Sequence, residues 1–416
     1  MSQQRHASPW LNAKRLRAHG LILGVAIWSV YLWTVWTPGL RDRSGNLKGT
    51  DFLHLYTIGT LAREHRGAEL YDMQAQAALA AERVPEAAGI RYLPLYPPQV
   101  SIFFAPLAAL PYGEALALWW AFSAGLYAIC CYGVWRASPH LRGHGWTVAA
   151  VAAAFPAFFH LIAWGQSSAV ALACFTLMFF LLRSDQKFLA GAALGCLIFK
   201  PQLGLAAAIV FLSMGAWKTV AGALLSAAAE LWMGVAYYGI APLRGWVATL
   251  RHARLVMAWI EPRPYQTHCL RTFWSMLIPW EPLAAGLYAI SAITILAATI
   301  ALWRRSAPLA VRFPALLLAT VLVAPHLTVY DLVIIVPGIL LLTDWLAGLA
   351  PSRRTQSLGA LLYLAYLLPL VGPFARWTHV QFSVIAMAAL VFLLSSDLAR
   401  SPEQKSQRIG ETARPG

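Results

Sequence analysis

The chain returns repeatedly to apolar runs long enough to cross a lipid bilayer, and that recurrence restricts it to one class of structure. Crossing the hydrocarbon as a helix takes about 20 apolar residues, and every backbone N–H and C=O inside it needs a partner within the protein. Helices meet both conditions, and the runs read as helices near 20–38, 114–135, 146–163, 167–182, 188–200, 203–214, 218–240, 283–302, 312–325, 331–347, 357–371 and 378–396. A further half-span at 100–111 puts the count at about eleven to thirteen. No segment shows the alternating, roughly ten-residue pattern of a barrel strand. The chain is 59% hydrophobic and 12% charged, with mean hydropathy +0.59, whereas soluble domains carry roughly 25% charged residues. An all-α polytopic membrane protein of about twelve transmembrane helices is expected.

The net charge of +15 would suggest a nucleic-acid partner in a soluble chain. Here its placement points to the bilayer instead, and no nucleic-acid partner is expected. With Arg5, Lys14, Arg15 and Arg17 on the cytoplasmic side, the alternate loops on that side hold Arg136, Arg142, Arg183, Lys187, Lys218, Arg304, Arg305, Arg312, Arg353 and Arg354. The tail adds Arg400, Lys405, Arg408 and Arg414, while the short loops opposite hold only Lys200 and Arg376. This is the positive-inside pattern, and it favours twelve spans with both ends in the cytoplasm of a cell (inner) membrane. Residues 1–19 are then a cytoplasmic segment, 20–396 the membrane domain and 397–416 a polar, disordered cytoplasmic tail. The basic start before 21–36 resembles a signal sequence, but Thr37-Pro38-Gly39 offers no small-x-small cleavage site, so an uncleaved anchor is expected. Four of the five cysteines fall in predicted helices, which leaves no disulfide framework and no metal-ligand spacing.

Two long external loops carry the rest. In the first, 39–99, Phe52, Leu55, Ile58 and Leu61 recur at three-residue spacing after Asp51, which predicts a helix lying on the membrane interface. A second short helix is predicted from Asp72 to Arg83, followed by a proline-fixed, aromatic re-entry at Tyr92-Leu93-Pro94-Leu95-Tyr96-Pro97-Pro98. The second loop, 241–281, holds a basic amphipathic piece with Arg244, Arg251 and Arg254, then Glu261-Pro262-Arg263-Pro264-Tyr265. Cationic helices of this kind lie on anionic headgroups or hold a phosphate.

Polar residues at the ends of apolar helices are costly and therefore informative. On the predicted topology one face collects Asp51, His54, Gln166, Lys200, His326, Tyr330, Asp331 and His379. Each has a structural alternative. Asp51 could begin an interfacial helix, where an acid favours the dipole. Lys200 could snorkel, His326 could cap carbonyls, Asp331 could pair with Arg376, and Gln166 could bond across helices. Glu230, alone in mid-helix, reads as a protonated or paired structural acid.

Several pieces then occur in a familiar order: Asp51-Phe52 with Tyr56, Glu69-Leu70-Tyr71-Asp72, Tyr96-Pro97-Pro98 followed by Phe104-Ala105-Pro106-Leu107 and Leu110-Pro111, Gly165-Gln166, Ala190-Gly191 leading to Lys200-Pro201, and Pro325-His326 with Tyr330-Asp331. From about residue 20 to 395 the chain resembles the family 87 glycosyltransferases, polytopic members of the GT-C superfamily that include polyprenyl-phosphate-mannose-dependent mannosyltransferases. The resemblance implies transfer of a sugar (mannose or another hexose or pentose) from a polyprenyl-phosphate donor to a lipid or glycan hydroxyl on the external, periplasmic face. It maps the catalytic base to Asp51 and places Lys200 and His326 near the donor phosphate. His54-Leu55-Tyr56 departs from the more aromatic run that many members carry, which bears on the acceptor side. Gln166, Arg251, Arg254, His54, Tyr56 and Asp331 complete the expected substrate-binding set. The chemistry agrees: a carboxylate can take the proton of an attacking hydroxyl, and a phosphate leaving group needs cations more than an acid. A single base with direct displacement inverts the sugar. No Asp-x-Asp pair lies outside, so no metal or other cofactor is expected. The competing class is a secondary transporter or lipid flippase, for which an internal repeat and midplane polar sites would be expected. Apart from Glu230 the chain has neither. A membrane scaffold would carry charge-rich soluble loops.

Overall fold

The structure is a computed structural model that describes residues 12–252 and 256–396, the side chains of 258 and 259 excepted. The proposed disordered tail and Arg254 lie outside the described residues. The chain opens with α1 (Ala13–Val35), whose N-terminus is capped by the Asn12 side chain accepting from the Arg15 N–H at 3.0 Å. That cap starts the helix seven residues before the apolar run, so Lys14, Arg15 and Arg17 ride on its first turns. The first long loop folds into α2 (Thr50–Arg63), α3 (Met73–Arg83) and α4 (Gln99–Phe104), then passes to α5 (Tyr112–Arg136). The Asp72 carboxylate caps α3 by accepting from the N–H groups of Gln74 and Ala75.

The expected single span at 146–163 is two pieces, α6 (Gly145–Ala153) and α7 (Pro156–Trp164), bent by 51°. Pro156 lacks the N–H that would continue the ladder and holds Phe155 in extended geometry, which breaks the helix there. There follow α8 (Ser168–Arg183), α9 (Lys187–Gly195), α10 (Pro201–Ser213), α11 (Trp217–Tyr238) and α12 (Ile240–His252), then α13 (Met257–Ile260) and α14 (Leu270–Leu277) in the second long loop. The last third holds α15 (Glu281–Arg304), α16 (Leu309–Val323), α17 (Val336–Ala347), α18 (Arg353–Leu367), α19 (Ala375–Thr378) and α20 (Phe382–Ser395). No strand occurs among the described residues; two isolated bridges, Arg41 with Leu47 and Thr267 with Thr328, tie loops together. Among the described residues six helical stretches (α1, α5, α11, α15, Val329–Ala347 and Arg353–Thr378) are long and apolar enough to cross a membrane, seven if the bent pair is one span, and five shorter apolar helices accompany them. The chain is an all-α, multi-pass membrane protein.

Small residues set the closest contacts. α9 and α11 pack backbone to backbone through Gly191-x-x-x-Gly195 on one helix and Gly222 on the other. A Cβ on Gly191 would sit 1.9 Å from the Thr219 carbonyl oxygen, and one on Gly222 would sit 2.0 Å from that of Phe188. Helices surrounded by lipid gain little from apolar burial against each other, so close van der Waals approach of this kind holds them together.

α2 is the helix expected after Asp51, and the protein covers it more completely than the one-faced apolar spacing predicts. Every residue from Phe52 to Ala62 is buried within the protein. Phe52 lies among Tyr112, Phe104 and Trp119 at ring distances of 5.7, 6.4 and 6.1 Å. Two of the buried polar side chains of α2, Thr57 and Thr60, are met within the protein by donating to the Leu53 and Tyr56 carbonyls of their own helix.

Candidate functional site

Two left-handed glycines bring the site together. Gly49 (φ +63°) turns the chain into α2, and Gly165 (φ +70°) terminates α7. The two turns abut: a Cβ on Gly165 would lie 3.5 Å from the Gly49 Cα and 2.7 Å from the Phe52 Cβ. Tyr112 donates to the Gly49 carbonyl at 2.9 Å and Trp119 donates to that of Gly165 at 2.9 Å, so neighbouring α5 grips both turns. Only glycine occupies this geometry without strain or clash. The start of α2 and the end of α7 therefore meet, and with them Asp51 and Gln166.

Gln166 Nε2 donates to Asp51 Oδ2 at 2.7 Å. Asp51 sits in the first turn of α2, where an acid favours the dipole, but it is not the cap: Gly49 is the N-cap and no side chain caps the helix. Gln166 Oε1 in turn accepts from Lys200 Nζ at 3.2 Å and from the Tyr96 hydroxyl at 3.3 Å. Lys200 also donates to Ser168 Oγ at 3.0 Å and to Asp331 Oδ1 at 2.9 Å, and Ser168 donates to the same carboxylate oxygen at 2.5 Å. Asp331 Oδ2 accepts from the Thr328 N–H, closing a capping box at the break between α16 and α17. Lys200 reaches this position because it precedes Pro201, which starts α10 and keeps Lys200 out of the helical conformation.

This arrangement assigns Lys200 and Asp331 to each other. An ammonium group has three N–H donors, and those of Lys200 are all engaged by protein acceptors in a site that leaves the side chain 7% exposed. Lys200 lines the cavity as the buried counter-ion of Asp331 and a prop for Gln166. Asp331 pairs with Lys200, not Arg376.

A second cluster stands across the cavity. Glu261 is held by the Arg271 guanidinium, by Thr272, whose hydroxyl donates to it at 2.9 Å, and by His326, whose Nδ1 lies 2.8 Å away. Arg271 also donates to the Pro325 carbonyl at 2.5 Å, fixing the turn that presents His326. Burial would push the Glu261 carboxyl up, but His326 and Arg271 outweigh it and hold it below the usual carboxylate range. His326 Nε2 has no hydrogen-bond partner among the described residues and the ring lines the cavity.

The cavity measures about 1300 Å³ and is lined by Asp51, His54, Gln166, Lys200, Glu261, His326 and Asp331 at its centre. Arg91, Tyr92, Tyr96, Trp164, Arg263 and Arg271 also face it. Val30, Val35 and Phe159 form an apolar wall on the α1 side, and Leu205, Ala284 and Ala285 form another on the α10–α15 side. That volume exceeds the roughly 300–1,000 Å³ of small-ligand pockets and suits an elongated, partly apolar substrate. His54 stacks on Tyr92 with ring centroids 5.1 Å apart, and burial pushes its imidazole down to about 4, so it is neutral near pH 7. Burial pushes the Asp51 carboxyl up to about 6, against the lowering pull of Gln166 and Lys200. A carboxylate that ionises near neutrality, with one oxygen held and the group facing a cavity, is suited to accept a proton.

Tyr56 does not join the site. Its hydroxyl donates to the Leu110 carbonyl at 2.9 Å and its ring packs on Tyr112, because its place on α2 turns it into the loop core. Arg251 is exposed at the end of α12 and is not among the cavity-lining residues. Glu261, Ser168, Arg263 and Tyr96 were visible in the sequence without an assigned role. A glutamate between an apolar helix and a proline-fixed turn was the available signal for Glu261. Among the described residues no three His, Cys, Asp or Glu side chains form a metal-binding group.

Fold and site together define a multi-pass helical membrane protein with a carboxylate-centred polar cavity between apolar walls. The family model for glycosyltransferase family 87 matches residues 95–325, more than half of the 416-residue chain, and the chain belongs to that family. It is a membrane glycosyltransferase. No curated protein and no solved structure matches it. Tyr96, Gln166, Lys200, Glu261 and Arg263 fall inside the matched stretch; Asp51 and His54 precede it and His326 and Asp331 follow it.

Proposed function

We propose that this glycosyltransferase moves a sugar (mannose or another hexose or pentose) from a polyprenyl-phosphate donor to a hydroxyl of a lipid or glycan acceptor. The reaction takes place on the periplasmic face of the inner membrane, with both chain ends in the cytoplasm, and it inverts the anomeric centre. The observation that carries this is the Asp51 carboxylate, held through one oxygen by Gln166 and facing a large cavity with apolar walls. A sugar on a long lipid phosphate needs such a cavity: polar at the reacting end, apolar where the chain leaves.

In the step, the acceptor hydroxyl gives its proton to Asp51 while its oxygen bonds to the anomeric carbon. The bond from that carbon to the phosphate oxygen breaks on the opposite face, and the electron pair leaves with the phosphate. The donor diester carries one negative charge and the released monoester approaches two, so positive charge near the leaving oxygen favours the transition state over the ground state. The Gln166–Lys200–Asp331 chain keeps the base in place, since a misplacement of about 1 Å can cost on the order of 100-fold.

Purified protein incubated with polyprenyl-phosphate sugars and extracted envelope lipids tests this, with the anomeric configuration of the product read by NMR. Transfer with inversion is expected. Transfer only from nucleotide sugars, or retention of configuration, would refute it.

A further inference from the structure

Resting on that reading, the structure assigns the donor-phosphate contact to Arg263, a residue in the turn between α13 and α14. Four observations converge on it. The first is charge balance. Of the cations lining the cavity, Lys200 is neutralised by Asp331, and Arg271 and His326 share Glu261. Lys48 donates to the carbonyls of Thr37 and Gly39. Arg91 and Arg263 remain, neither within ion-pair distance of a carboxylate among the described residues.

The second is proximity to the base. Arg263 lines the same cavity as Asp51, and its guanidinium lies by Trp164, two residues before the Gln166 that holds the Asp51 carboxylate; its charge favours that carboxylate. The third is preorganisation. Pro262 and Pro264 flank Arg263 and restrict its backbone, the Gln266 N–H donates to its carbonyl at 2.9 Å, and Glu261, two residues earlier, is anchored by three partners. The loop is fastened again at Thr267, which bridges to Thr328, and at His268, whose N–H donates to the Leu327 carbonyl at 3.0 Å. An arginine on such a turn is presented to the cavity at little further entropic cost. The fourth is its platform: the guanidinium carbon lies 5.9 Å from the centre of the Trp164 ring. A planar guanidinium offers a phosphate two parallel N–H donors, which a lysine does not. Arg263 also sits outside the Lys200–Asp331 network, so it can follow the growth of charge on the leaving oxygen without breaking a structural pair.

The test uses the purified full-length protein and two probes differing only in the phosphate, farnesyl phosphate and farnesol, with affinities measured by ligand-dependent thermal shift. Wild-type protein is expected to bind farnesyl phosphate more tightly. Arg263→Gln is expected to weaken farnesyl phosphate by about 10- to 100-fold, as loss of a charge-assisted contact does, and to leave farnesol unchanged. Arg91→Gln, which removes the same charge from another part of the cavity lining, is expected to change either probe less than about threefold. Wild-type affinity in Arg263→Gln overturns the assignment, as does an equal loss in both variants, which would mean diffuse electrostatic attraction. Failure of wild-type protein to distinguish the two probes overturns the phosphate-donor reading itself. In sugar transfer, Arg263→Lys is expected to recover part of the rate lost in Arg263→Gln, and no recovery with a changed fold would mean a structural role.

Discussion

Replacing Asp51 with asparagine separates what the carboxylate does for catalysis from what it costs the fold. Burial raises the carboxyl from 3.8 to about 6. The folded protein therefore holds the proton more tightly than the unfolded chain does, and ionisation works against folding. Below about pH 4 the group is protonated in both states and imposes no penalty. Between pH 4 and 6 the penalty grows, and above pH 6 it is complete. A shift of about two units corresponds to about 3 kcal/mol, and water in the cavity screens part of it, so about 1–3 kcal/mol is expected. Asp51→Asn should accordingly raise the thermal midpoint of the detergent-solubilised protein at pH 7.5, with the gain vanishing by pH 4. The same variant should lose about 100- to 10,000-fold in sugar transfer, the usual worth of a general base. Wild-type kcat/KM should rise with pH through about 6 as the base ionises. Full transfer by Asp51→Asn would remove the base assignment. A stability gain that does not change with pH would remove the buried-carboxylate argument, whatever happened to activity.

Three further outcomes are expected. Lys200→Met leaves the Asp331 charge buried without its partner and should cost about 3–5 kcal/mol, while Lys200→Met combined with Asp331→Asn should recover a good part of it; thermal melting of the two variants decides, and wild-type stability in Lys200→Met would refute the buried pair. Gly191→Val should force α9 and α11 apart and cost at least about 1–3 kcal/mol, seen as a lower melting point, because the added Cβ meets a carbonyl oxygen at 1.9 Å. A cysteine at Ala68, exposed in the first long loop, should be labelled by an impermeant thiol reagent added from the periplasmic side; labelling only from the cytoplasm would invert the proposed topology.

The order of the helices was legible because hydrophobic length is a local property, and each apolar run in the sequence finds its helix in the structure. The break at Pro156 was equally local in cause, but a hydropathy run averages across one proline and concealed it. The full burial of α2 was hidden for a related reason: three-residue apolar spacing gives one buried face, and only the arrival of α4, α5 and the re-entrant stretch Tyr92–Pro98 covers the remainder. His54 and Gln166 were found because polar residues at apolar helix ends have few explanations in a membrane. Tyr56 was drawn in only by its nearness to Asp51 along the chain.

The sequence by itself determined the membrane class, the helix order and the gathering of Asp51, Gln166, Lys200, His326 and Asp331 at helix ends, since each follows from local hydropathy and the cost of a polar group in lipid. Tertiary structure alone decided who pairs with whom. Lys200 and Asp331 stand 131 positions apart and Glu261 and His326 stand 65 apart, and no local pattern records such a meeting. Pairing then sorts the cations that residue type leaves alike: Lys200 faces the cavity as the partner of a buried aspartate, and Arg263, between two prolines, lines it with no carboxylate partner among the described residues. The physical reason is that a buried charge must find a counter-charge before it can serve a ligand, and which charges remain is known only once the helices have packed.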